Sequence, residues 1–311
     1  MKNMILRPAG GKRLFSLSLM WLMVFCAALS GAHAEEGTAP ARVSYLGPAG
    51  TYTEQAAQLW FQGGEILQPR ATVSEAVEDL IAGRAEYAVI PQENTLGGAV
   101  VAYLDALIAA RDVHVAGEVI LPISQTLMGV PGTVPADIRT VVSHAQGLTQ
   151  SAAWRAEHLP DAAAEEMAST AAAASYVAEK QDKSIAAVAA PGAAALYGLE
   201  VLAENVQMTD TNRTRFYVLA RRGNEGAGQT RAVFIATCDA SRIDDIIVGM
   251  HEAGLELVAL HDRPEGSYLG RYHYVIETEN PEGVSEEQIQ AACAMDGVVW
   301  LGCFGVIGDN M

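Results

Sequence analysis

Arg42-Val43-Ser44-Tyr45-Leu46-Gly47-Pro48-Ala49-Gly50-Thr51-Tyr52-Thr53-Glu54 decides the fold. Its first five residues form a strand-like run, which the Gly-Pro-x-Gly break ends. Thr51 or Thr53 then stands where a helix needs an N-cap, ahead of an apolar periodicity that continues through Trp60. Gly50 permits a close backbone approach at that helix start. Strand, polar loop and capped helix is the unit from which α/β sheets are built.

Outward from it the plan repeats. Ala71-Thr72-Val73 is extended and 74–82 helical. Tyr87-Ala88-Val89-Ile90-Pro91 reads as a buried strand whose end carries Gln92-Glu93-Asn94-Thr95, before Gly97-Gly98 and a helix over 99–110. Strands over 113–120, 126–130 and 140–142 and helices over 146–157, 162–179 and 190–197 complete the series. This rhythm specifies α/β layers, which bind ligands at polar loops beyond the carboxyl ends of strands. A Gly-containing stretch at 222–229 reads as a linker. The tail, 230–311, has the order βαββαβ, and its net charge of −10 suggests a separate acidic domain.

Composition narrows the function. The chain has 311 residues, is 50% hydrophobic and contains 29 Gly and 4 Cys, which excludes disordered, collagen-like and disulfide-scaffold classes. A net charge of −17 argues against nucleic acid and against docking on anionic lipid.

Residues 1–34 read as a cleaved export signal. Lys2, Arg7, Lys12 and Arg13 form a basic leader; the apolar run 14–29 is too short to span a bilayer, and Ala32-His33-Ala34 suits a signal peptidase. A periplasmic protein without a stable membrane anchor is expected. Losing four basic residues leaves 16 against the same 37 acids, net −21. Cys238, Cys293 and Cys303 remain, an odd number, with a Cys293–Cys303 disulfide left open. Zinc-like spacing, a P-loop and a dinucleotide fingerprint are lacking, so no metal or organic cofactor is expected.

Four polar segments sit where strands end: Gly47 to Thr51, Glu93-Asn94-Thr95, Ser143-His144-Ala145-Gln146 and Thr211 to Phe216. Singly, each is explained as a turn, a cap or a strand start. Together, in this order, and with Ser169-Thr170-Ala171-Ala172-Ala173-Ala174, they resemble the prephenate dehydratase family. That family shows Gly-Pro-x-Gly-Thr, Pro-Ile-Glu-Asn-Ser, Ser-His-Pro-Gln, Ser-Thr-Ala-x-Ala-Ala and Thr-Arg-Phe. Gln92, Thr95 and Ala145 depart from its Ile, Ser and Pro. The resemblance covers 41–220 and extends into the tail, which is similar to an ACT regulatory domain.

The resemblance implies a two-lobed catalytic region over 41–221, similar to type II periplasmic binding proteins, followed by a ferredoxin-like ACT domain over 230–311. It implies decarboxylative dehydration of prephenate to phenylpyruvate in phenylalanine biosynthesis, without metal or cofactor. Thr214 corresponds to the family's essential Thr, whose hydroxyl would hydrogen-bond the leaving oxygen or act as proton donor. Arg215 would supply a cationic fork for a substrate carboxylate or organise Glu93, which with Asn94 completes a catalytic set of four residues. Thr51, Thr95, Ser143, Gln146 and Thr170 would hydrogen-bond substrate, and Phe216 would pack beneath it. His144 would touch either substrate or backbone.

In the tail the family's Glu-Ser-Arg-Pro stands as His261-Asp262-Arg263-Pro264, and its Gly-Ala-Leu as Gly254-Leu255-Glu256-Leu257. Of the effector positions Gly254, Leu255, Asp262, Arg263 and Pro264, enough have changed that phenylalanine feedback is expected to be weak or lost. A homodimer or homotetramer is expected. With no chorismate mutase segment read in the chain, a separate exported mutase or leaked substrate would supply prephenate. Arogenate or cyclohexadienyl dehydratase is the alternative enzyme. An exported solute-binding or sensor protein for aromatic acids is the alternative of another class, against which Thr214-Arg215-Phe216 and Glu93-Asn94 argue.

Overall fold

The computed structural model describes residues 40–110, 112–222 and 229–308. The expected signal, 1–34, and positions 223–228 of the linker lie outside the described residues. No helix among those described is long and apolar enough to cross a membrane.

The opening segment folds as its chemistry dictates. β1 (Arg42–Leu46) runs into a turn with a cis Gly47–Pro48 bond, and α1 (Tyr52–Phe61) starts at Thr51, whose hydroxyl accepts the Glu54 N–H. Two glycines make the turn feasible. Gly50 has φ +84°, and a Cβ on Gly47 would lie 2.6 Å from Pro69 Cβ.

β1 stands between β2 (Ile66–Arg70) and β3 (Tyr87–Asn94), parallel to both. The sheet continues through β11 (Arg213–Ala220) to β5 (His114–Pro122), with the short β4 (Gly98–Ala99) paired to β3. β11 is antiparallel to both its neighbours. The chain leaves this sheet after β5 and returns to it at β11. Between them lies a second sheet in the order β10 (Glu200–Ala203), β6 (Thr126–Gly129), β9 (Ile185–Ala189), β7 (Thr140–Ser143), β8 (Ala163–Glu166). The two sheets make the two lobes.

Side-chain alternation gives the first sheet two buried faces. Val89, Phe216 and Val218 pack with Ala56 and Ala57 of α1 on one. On the other, Ala88, Ile90, Tyr217 and Leu219 pack with α2 (Val73–Ile81) and α3 (Val101–Ala109). Fully burying one such aromatic or aliphatic side chain contributes roughly 1.5–3 kcal/mol.

The tail has the expected βαββαβ order: β12 (Arg231–Asp239), α8 (Ile243–Glu252), β13 (Glu256–Pro264), β14 (Arg271–Glu279), α9 (Glu286–Cys293), β15 (Val298–Phe304). Its sheet order is β13-β14-β12-β15, with both helices on one face. The other face is not separate from the first lobe. Val233, Val275, Leu301 and Phe304 share a cluster with Tyr103, Tyr217 and Leu219. Beyond β15, β16 (Val306–Gly308) leaves the tail sheet and pairs parallel with β5, so the final 298–307 strand is two strands in two sheets.

Three other expectations change. The strand before α2 is β2, at 66–70 and not at 71–73, because Thr72 caps α2, which begins at Val73. The helix over 146–157 is interrupted at Ser151 into α4 (Ala145–Gln150) and α5 (Ala152–His158). The helix over 162–179 begins only at Thr170, as α6 (Thr170–Lys180); Ala163–Glu166 is strand β8, paired parallel with β7. Ladder pairing there overrides the helix propensity of alanine, and Ser169 caps the helix that follows. All three cysteines described are free, so Cys293 and Cys303 form no disulfide.

Candidate active site

A cavity of about 260 Å³ is lined by both lobes. Its walls begin at three helix starts. Thr51 caps α1; His144 caps α4, its Nδ1 accepting the Gln146 N–H at 3.3 Å; and Ser169 caps α6, accepting the Ala172 N–H at 3.0 Å. First-turn N–H groups lack intrahelical acceptors, and the helix dipole adds partial positive charge, so such ends favour anions. Three of them bordering one cavity create that preference without a side-chain cation: among the described lining residues there is neither Lys nor Arg.

Asn94 and Thr214 are register partners across β3 and β11. Asn94 Nδ2 donates to Thr214 Oγ1 at 2.9 Å, to Asn212 Oδ1 at 2.7 Å and to the Arg213 carbonyl at 3.1 Å. Asn94 Oδ1 accepts from Gln146 Nε2 at 2.9 Å and from the Leu96 and Gly97 N–H groups at 3.0 Å each. The Gln146 bond crosses from lobe to lobe. A second crossing runs from Tyr197 Oη in α7 (Pro191–Tyr197) to the Ala49 carbonyl at 2.7 Å. Because Thr214 Oγ1 accepts from Asn94, its own hydrogen is left to be donated into the cavity.

Of the residues expected from the sequence, Thr51, Asn94, His144, Gln146, Thr170, Thr214 and Phe216 line this one cavity. His144 bonds backbone, as one of its two readings had it, and also lines the cavity. Four do not line it. Ser143 is wholly buried and donates to the Val188 carbonyl at 2.6 Å. Thr95 bonds the Thr211 carbonyl at 3.3 Å and the Arg213 N–H at 3.0 Å.

Arg215 and Glu93 face the opposite side of the sheet, towards the tail. Arg215 adjoins Thr214 in β11, so alternation turns it away. Its guanidinium meets Glu118, Glu277 of β14 and, at 3.3 Å, Glu93 Oε2. It therefore cannot fork a substrate carboxylate in this arrangement, although its link to Glu93 is present. Burial acts to lower the Arg215 pKa, but the charges of Glu277 and Glu118 raise it overall and keep it cationic. The Glu118 pKa is raised too, which for a carboxyl favours the neutral form: burial, reinforced by Glu277, outweighs the bonds to Arg215.

Sequence reasoning missed several lining residues. Gln125 Nε2 donates to Gln150 Oε1 at 2.9 Å at the cavity wall, and Gln125 Oε1 is buried without a partner. Tyr52 donates to the Ser124 carbonyl at 2.5 Å. Gln125 sits in the crossover between the lobes and Gln150 ends α4, where no local pattern marks them, while Tyr52 opens α1. Ser169 and Asn212 lie within quoted motifs and were legible in principle.

The effector positions separate. Gly254 and Leu255 precede β13 and Arg263 and Pro264 end it, roughly 25 Å apart at strand rise. Leu255 is core, and Asp262 pairs in register with Tyr274. Arg263 Nε bonds Asp105 of α3 at 2.6 Å, and Arg263 and Pro264 border a second cavity of about 400 Å³. Among the described residues no group of three or more His, Cys, Asp or Glu could hold a metal.

A family model for prephenate dehydratase matches residues 43–224, which takes in both lobes and every cavity residue above. The chain belongs to the prephenate dehydratase family. Its members of that name are lyases. The chain is 34% identical over 258 residues to prephenate dehydratase of Amycolatopsis methanolica, covering 81% of this chain and 83% of that one. It superposes on the prephenate dehydratase of Arthrobacter aurescens, solved in complex with L-Phe, with a TM-score of 0.77 and 30% identity, covering 85% and 90% of the two chains. A quorum-quenching acylase, GqqA, has the same fold at a TM-score of 0.74 and 26% identity, covering 86% and 98%.

Proposed function

We propose that this protein converts prephenate to phenylpyruvate, with Thr214 as the group that assists departure of the ring hydroxyl. The observation that carries the reading is the Asn94–Thr214 bond in a cavity bordered by three helix starts. Prephenate is a dianion with a single ring, and such a cavity suits carboxylates without needing Arg215. As the ring C–O bond breaks, Thr214 Oγ–H hydrogen-bonds the leaving oxygen. The ring carboxylate departs as carbon dioxide, its bonding electrons complete the aromatic ring, and the hydroxide takes a proton from solvent to leave as water. A threonine hydroxyl is a weak acid, so transition-state hydrogen bonding and placement carry more of the effect than proton transfer. Phe216, 1% exposed, gives the cavity an apolar surface for the ring.

The same reading takes the tail as an ACT domain, residues 1–34 as an export signal and the chain as a homodimer or homotetramer acting in phenylalanine biosynthesis in the periplasm. Phenylalanine response is weak. Arg263 is held by Asp105, and His261 of the altered loop bonds Tyr103 of α3. The test is phenylpyruvate formation by the purified protein offered prephenate or arogenate, with and without phenylalanine. Turnover of prephenate, little changed by phenylalanine, supports the reading; turnover of arogenate alone, or of neither, overturns it.

A further inference from the structure

Asn94 faces the cavity only because β3 contains a bulge. Along β3, Val89 lies on the cavity side of the sheet and Pro91 lines the cavity; strict alternation would put Glu93 there next and turn Asn94 away. The register instead pairs Arg215 with Glu93 and Phe216 with Pro91, skipping Gln92. Gln92 and Glu93 thus both face the tail, and Asn94 returns to the cavity. Bulges re-aim side chains in this way.

The skipped residue is held from outside the two lobes. Glu277 of β14, 1% exposed, accepts from Gln92 Nε2 at 3.3 Å, Tyr217 Oη at 2.6 Å, Arg231 Nη1 at 3.0 Å and Arg215 Nη2. One carboxylate of the tail sheet therefore grips the bulge of β3 and the two residues of β11 that flank Phe216. Gln92 Oε1 is buried without a partner, a cost an apolar residue at this position would avoid. What the amide contributes is its tie to Glu277 and Tyr217.

We infer that Glu277 is a positioning residue for the Asn94–Thr214 pair, pinning through Gln92 and Arg215 the bulge that aims Asn94 into the cavity. The inference rests on the function proposed above for Thr214. The tail is then a working part of the catalytic unit, whether or not it responds to an effector.

The test uses the full chain and Glu277→Gln, which keeps the shape and removes the charge. The expected result is a fall in kcat of at least about tenfold, as misplacement by a fraction of an ångström produces, with KM within about twofold. In an Asn94→Ala background the same substitution should add no further loss, because both act on one pair. Unchanged kcat, or losses that multiply, would overturn the inference. Hydrogen exchange supplies a readout independent of turnover. The Leu96 and Gly97 amides, held by Asn94 Oδ1, should exchange faster in Glu277→Gln; unchanged exchange counts against the inference even if the wild type makes no phenylpyruvate, a result that by itself removes only the proposed function. If Glu277→Gln does not fold, Gln92→Leu, which leaves the ion pairs intact, is judged by the same measurements.

Discussion

The Asn94 side chain donates to Thr214 Oγ1 at 2.9 Å while its carbonyl oxygen accepts from Gln146 of the other lobe at 2.9 Å. One amide thus holds the Thr214 hydroxyl and links the two lobes beside it. Asn94→Ala should lower kcat by about 10²-fold, the scale of removing one preorganised donor from a reacting centre. Steady-state kinetics on prephenate check this. A rate within twofold of wild type would mean that Thr214 needs no such orientation.

Glu118 makes stability fall with rising pH. Its folded pKa is raised above the model-peptide value of 4.5 by burial and by Glu277. A carboxyl of that kind stabilises the fold below its unfolded pKa, and the contribution is lost as pH climbs towards the folded value. Glu118→Gln removes the titration while leaving an oxygen for Arg215. Thermal melting between about pH 5 and pH 8 should show the wild type losing more stability than Glu118→Gln. Parallel curves would contradict the assignment.

Gly47 is fixed by sterics. A Cβ there would sit 2.6 Å from Pro69 Cβ and 3.3 Å from Pro69 Cα, with the neighbouring strand unable to yield cheaply. Gly47→Ala should cost about 1–3 kcal/mol, the range for overpacking, read as a lowered urea midpoint. Because the turn sets the start of α1, KM for prephenate should rise as well. A variant as stable as wild type would show that β2 moves aside freely.

Loops and two of the helix starts are legible in the sequence because their signals are local: caps at Thr51 and His144, and the Gly-Pro break before α1. Ordered together, they located seven residues of one cavity in advance. Orientation was less accessible. Whether Arg215 and Glu93 face the cavity depends on strand alternation and on a bulge at Gln92 that exists only in the pairing of β3 with β11. Of the two roles expected for Arg215, the fork into the cavity is not in place, while its bond to Glu93 is. Ser143 was misjudged for a similar reason, since its hydroxyl is spent on the Val188 carbonyl inside the second sheet. The grip of Glu277 joins residues 185 positions apart from Gln92, beyond any local pattern. Nor does an alanine run announce a strand; β8 forms because β7 offers it an edge.

The claim on which the rest depends is that the Thr214 hydroxyl drives turnover. The direct measurement compares phenylpyruvate formation from prephenate by wild type, Thr214→Ser and Thr214→Ala, with prephenate binding followed in parallel by equilibrium dialysis. The expected result is turnover by wild type, retained in part by Thr214→Ser. Thr214→Ala should still bind prephenate yet turn over at least about 10²-fold more slowly. A Thr214→Ala protein that forms phenylpyruvate at the wild-type rate would contradict the account.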